Sequence, residues 1–124
     1  MRDWLWPIPF FERENMDINN FVANLDGIID EIDRKVNKIE EDTNTGIKAM
    51  PELVRKIQEI LPDWFYFIEE TGIGDKQVIV MVLNDIVDAL EYKDKVLLED
   101  VLLFGMQPLM LQYKNVIEEA LHGE

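Results

Sequence analysis

Carboxylates are the side chains of this sequence numerous enough to build a reactive centre. Its 124 residues include 26 Asp or Glu against 12 Lys or Arg, a net charge of −14. Asp26, Asp30 and Asp33 are spaced to share one side of a helix, and Asp85 and Asp88 stand three apart further on. Facing acidic pairs on two helices can hold magnesium, and magnesium so held can promote cleavage of a pyrophosphate. These five aspartates are therefore the candidate metal ligands. The favoured reading of the same residues is a solvated acidic face, balanced by i,i+4 partners such as Arg34 and Lys38.

All-helical nucleotide pyrophosphohydrolases use a glutamate-rich E-x-x-E then E-x-x-D pattern. Here the pairs are Asp30-x-x-Asp33 and Asp85-x-x-Asp88, differently separated and without a neighbouring basic cluster for phosphate. Other chemistry is poorly supplied. The sequence has no serine and no cysteine, and Thr43, Thr45 and Thr71 fall in turn regions away from the single histidine. That histidine, His122, follows Glu119 by three residues, which is half of a di-iron carboxylate motif lacking its second half. A calcium loop starting at Glu41 fails because Thr43, Thr45, Ile47 and Ala49 occupy ligand places and Pro51 interrupts it. Gly72-Ile73-Gly74 lacks the third glycine and the preceding strand of a phosphate-cradling loop. No catalytic residue and no cofactor is assigned.

Aromatic and apolar residues point instead to contact surfaces. Trp4, Trp6, Phe10 and Phe11 form one cluster, and Trp64, Phe65, Tyr66 and Phe67 another. Four consecutive aromatics cannot all face one core from a helix. Leu102, Leu103, Phe104, Met106, Leu109, Met110 and Leu111 are apolar almost without relief, as in a central helix or an interface. The interaction candidates are Trp4, Trp6, Phe10, Phe11, Trp64, Phe67, Phe104 and Met106, since aromatic anchors dominate interface energetics.

The elements that position these residues read as helices. Residues 1–16, with Pro7 and Pro9, read as an extended apolar N-terminal arm, covering the Trp64–Phe67 patch or reaching another subunit. Residues 17–124 read as the helical domain. Ile18, Val22, Leu25, Ile29, Ile32, Val36 and Ile39 form an a/d seam from a cap at Asp17 or Asn15 to an end near Glu41. Its second half, crowded by Asp33, Arg34, Lys35, Lys38 and Glu40, could extend as a hairpin arm. Asp42–Gly46 reads as a turn, and a second helix lies between Ile47 and Leu61. Pro62 ends or kinks it before a short aromatic turn closed by Thr71-Gly72. Asp75 caps a third helix whose run Val78–Leu83 reads as buried on nearly all sides. Asp94 caps a fourth helix, kinked at Gly105 and Pro108. Short connections make neighbours antiparallel, so the expected fold is all-α: a four- or five-helix antiparallel bundle with a kinked C-terminal helix.

A surface this acidic repels phosphate backbones and anionic lipid, so neither nucleic acid nor membrane is the expected partner. The longest uncharged stretch, Val101 to Tyr113, falls short of the roughly 20 apolar residues a spanning helix needs. The absence of cysteine suits a reducing cytoplasm. The stretch from Leu83-Asn84-Asp85-Ile86-Val87-Asp88-Ala89-Leu90 through Val116-Ile117-Glu118-Glu119 resembles small acidic helical proteins of unknown function from Gram-positive bacteria. That resemblance implies a bacterial cytoplasmic origin and no activity. Acidic helical export chaperones, flagellar ones included, are similar in size and charge at the level of fold alone. The expectation is a non-enzymatic protein–protein interaction module, self-associating as a dimer. The alternatives are a chaperone or adaptor for a basic or amphipathic helix, and a metal-dependent helical hydrolase.

Overall fold

The computed structural model describes residues 17–122, and among them every regular element is a helix. Helix α1 spans Ile18–Glu41, α2 Thr43–Thr71, α3 Lys76–Glu91, α4 Lys95–Val101 and α5 Gln107–His122. A π-helical segment, Leu102–Met106, joins α4 to α5 with the backbone in the right-handed helical region on both sides. The predicted N-terminal arm, residues 1–16, lies outside the described residues.

Asp17 starts α1 by accepting a 3.2 Å hydrogen bond from the Asn20 amide. Phe21, Leu25, Ile28, Ile32 and Ile39 turn inward, while Val22 and Ile29 flank the core. One residue, Asp42, reverses the chain. Its amide donates to Lys38 O at 2.9 Å, and its carboxylate accepts from the Thr45 amide at 3.4 Å. It thus caps the end of α1 and the start of α2, so the expected turn over Asp42–Gly46 contracts to a single residue. Gly46 makes this possible. A Cβ there would lie 2.5 Å from the Cα of Ile39, closer than any side chain allows.

Helix α2 runs through both of its prolines, so of the two outcomes expected at Pro62, an end or a kink, the helix does not end there. Each proline removes one backbone bond, but both sit on the solvent side. The carbonyl one turn back then faces water, which can satisfy it. On the opposite side Met50, Leu53, Ile57, Ile60, Trp64 and Phe67 are buried in one continuous row. That burial outweighs the local loss. Gly72, at φ +72°, ends the helix in the left-handed conformation that glycine adopts freely.

Asp75 caps α3 through the Gln77 amide at 2.8 Å, and Asp94 caps α4 through the Leu97 amide at 3.0 Å. Helix α3 is peripheral, contrary to the expectation that its first half is enclosed. Ile79, Ile86 and Ala89 face inward, while Val78, Val80, Met81 and Val87 are exposed.

Helix α1 is bordered by α2 and by the α4–π–α5 helix, and both run against its direction. Toward α2, Phe21 meets Phe67 and Lys35 meets Glu52. Toward α4–π–α5, Glu40 lies 3.7 Å from Lys95, Asp33 accepts from Gln107 at 2.8 Å and Asp26 pairs with Lys114 at 2.9 Å. The tip of the α1–α2 hairpin is therefore flanked by α4 and does not project as a free arm. Trp64 and Tyr113 stack edge to face at the other end of the core, with centroids 5.3 Å apart. Among the described residues no helix is long and apolar enough to cross a membrane.

Candidate interaction surface

The interaction candidates divide by burial. Trp4, Trp6, Phe10 and Phe11 lie outside the described residues. Trp64, Phe67 and Met106 are fully buried and belong to the core. The four aromatics of α2 split as a helix requires, with Trp64 and Phe67 inside and Phe65 and Tyr66 half-buried. Phe104 differs: it stands 77% exposed.

Phe104 belongs to a surface that two elements build together. The next residue, Gly105, packs against α3: a Cβ there would stand in ordinary van der Waals contact with the Val82 side chain, at 3.4 Å. The residues beside this contact, Phe104 and Met81, both face solvent, Met81 at 63%. Leu97, seven residues before Phe104, and Val78, one turn before Met81, add partly exposed apolar area. Scattered exposed apolar side chains are ordinary, whereas several around one helix–helix contact make a candidate binding surface.

Carboxylates edge this patch. Asp85 and Asp88 stand four and seven residues beyond Met81 on the same side of α3, and Asp100 stands four before Phe104. All three are exposed, and none forms an ion pair with a described residue. The apolar centre is thus framed by negative charge.

The candidate metal ligands are not brought together. Asp26 and Asp33 point from α1 to Lys114 and Gln107 of α5, and Asp30 faces solvent. Asp85 and Asp88 lie on α3, which meets the other flank of the α4–π–α5 helix through Val82 and Gly105. Among the described residues no three His, Asp or Glu side chains converge on a point. The expected partner of this acidic face, Arg34, turns instead to Glu31, at 2.6 Å. The side chain of His122 lies outside the described residues.

Sequence reasoning missed a buried charge cluster between α1 and α2. Lys35, read as a surface residue, is 4% exposed, and Glu31 is 6% exposed. Their ion pair is 2.6 Å long. Lys35 also reaches Glu52 at 2.9 Å, and Lys56 stands 3.7 Å from Glu31. Hydrogen bonds from Lys35 and then Arg34 lower the Glu31 carboxyl from 4.5 to about 2. The signal was present: Lys35 follows Ile28 and Ile32 by seven and three residues, which places it at the edge of the buried seam.

Two hollows complete the surface. One, of about 410 Å³, lies between α1 and α2, with Ala23, Gly27, Ile28 and Ile60 at its base and Arg34, Lys56 and Glu59 along it. The other, of about 270 Å³, lies between the α2–α3 turn and α5, walled by Ile73, Val78, Leu109, Tyr113 and Val116. No family model, curated protein sequence or solved structure matches this chain.

Proposed function

We propose that this protein is a non-enzymatic interaction module, an antiparallel helical bundle whose principal partner is a second copy of itself. The observation that carries this reading is the solvent-facing Met81–Phe104 patch at the contact of α3 with the π segment. Burying a Phe or Met side chain contributes roughly 1.5–3 kcal/mol, and aromatic anchors of this kind concentrate interface energy. A chaperone or adaptor for a basic amphipathic helix is the second reading, favoured by the frame of Asp85, Asp88 and Asp100 around the apolar centre.

Self-association couples to folding by mass action, so the melting temperature of the full chain should rise with protein concentration. In Phe104→Asp it should stay constant across the same range. A wild-type melting temperature independent of concentration, with a basic amphipathic peptide raising it, would move the assignment to the second reading.

A further inference from the structure

We infer that the Met81–Phe104 patch also receives a basic amphipathic helix of a partner protein, and that this helix displaces the second copy of the chain from it. The inference rests on the self-association proposed above and adds that the patch serves one occupant at a time.

The apolar centre sets what the occupant must bring. Met81 of α3 and Phe104 of the π segment face solvent, with Val78 and Leu97 partly exposed around them. A methionine chain adapts to differing apolar surfaces, so such a centre is not restricted to one partner. An extended peptide needs a strand edge to pair with, and among the described residues every regular element is a helix. The apolar face of a helix is the complement that remains. From Val78 to Asp88 helix α3 runs about 15 Å, which three turns of a partner helix match.

Charge separates the two occupants. From Lys76 to Met106 six carboxylates stand against three cations. Two of those cations are drawn elsewhere, Lys76 to Glu69 at 2.6 Å and Lys95 toward Glu40 at 3.7 Å, and the third, Lys93, lies in the α3–α4 turn. Asp85 and Asp88 on α3 and Asp100 on α4 are exposed and form no ion pair with a described residue. A second copy brings a net charge of −14 and, about a two-fold axis, the same three carboxylates. Self-association therefore leaves these groups facing like charge. Lys or Arg flanking the apolar face of a partner helix pair with them instead. The basic helix covers the same Met81 and Phe104 surface without that repulsion, and so outcompetes the second copy.

The test uses the full chain and a helical peptide of about 18 residues made of Leu and Lys, with the leucines on one face. The control peptide has Glu in place of Lys. Sedimentation velocity at about 0.15 M salt, where charges more than about 8 Å apart are largely screened, reads the masses. The Leu–Lys peptide should convert self-associated protein to complexes holding one copy of the chain, and the Leu–Glu peptide should not. Asp85→Asn/Asp88→Asn/Asp100→Asn should lose at least about tenfold in affinity for the Leu–Lys peptide. The same variant should self-associate at least as strongly as wild type, a result that misfolding does not give. Removing three charges elsewhere, in Asp30→Asn/Glu41→Gln/Glu70→Gln, should change peptide affinity by less than about threefold. Equal losses in the two triple variants would mean attraction by net charge alone. A Leu–Lys peptide that does not bind, or that adds to the self-associated species without dissociating it, would mean that the patch is not shared. Each of these results overturns the inference and leaves self-association standing. A wild-type chain that is monomeric at every concentration without peptide overturns both.

Discussion

Gly46 is the residue on which the α1–α2 hairpin turns. Its missing Cβ lets α2 start directly against Ile39, 2.5 Å from where that atom would be. Gly46→Ala should therefore cost about 1–3 kcal/mol by overpacking, although alanine is the better helix former. Urea denaturation measures it, and a gain in stability would contradict the packing described. Glu31 supplies a pH dependence. Its folded pKa of about 2 lies below the ordinary 4.5, so its stabilisation is present above 4.5 and is lost as pH falls toward 2. Discounted for solvent screening, this is about 1–2 kcal/mol. Glu31→Gln should flatten the stability profile over that interval, and an unchanged acid limb would contradict the role. Glu99 works in the other direction. Hydrogen bonding to Glu40, then burial, raises its carboxyl, so the Glu40–Glu99 contact is stabilising at low pH and weakens as pH rises through the folded pKa. The helix caps Asp17, Asp75 and Asp94 were legible because an N-cap is a local interaction between a side chain and the next turn. The place of Lys35 at the edge of the seam was legible in the same way, but its pairing with Glu52, seventeen residues away, was not.

At the scale of elements, prolines and the π segment show where local rules yield to packing. Pro62 suggested a helix end or a kink, because a proline forfeits a bond whatever surrounds it. Whether the helix continues is decided by the row from Met50 to Phe67, and that row is buried only once α1 lies against it. The chain carries the local cost of Pro62 without using it, so Pro62→Ala should stabilise the protein by about 1–3 kcal/mol. No change in thermal unfolding would mean that α2 is already relaxed around the ring. In the fourth helix the disturbance expected at Gly105 and Pro108 takes the form of a π segment, with the Gln107 amide donating to Leu102 O. The wider turn turns Phe104 outward while Leu102 and Met106 stay in the core. The α3–α4 turn holds Lys93 at φ +52°, a conformation better suited to glycine. Lys93→Gly should add about 0.5–1 kcal/mol, measurable as a rise in melting temperature.

For the molecule as a whole, the all-helical class was legible from the seven-position seam of α1 and the caps, but the placement of α3 was not. Val78–Leu83 is apolar enough to be central, and periodicity alone cannot say whether a helix is enclosed or lies at the edge. The edge position leaves Met81 beside Phe104, and so creates the patch. Dispersal of the acidic residues over opposite flanks of the α4–π–α5 helix yields a prediction at this scale too. Magnesium or manganese titrated to millimolar levels should leave the melting temperature unchanged, whereas a rise would show that Asp26, Asp30 and Asp33, or Asp85 and Asp88, bind the cation. The central claim is that the Met81–Phe104 patch joins copies of this chain. Molar mass by light scattering, for the full chain and for Phe104→Asp over a range of concentrations, tests it most directly. The expected result is a wild-type mass that climbs with concentration and a variant fixed at the monomer mass. Equal monomer masses for the two proteins at every concentration would contradict it.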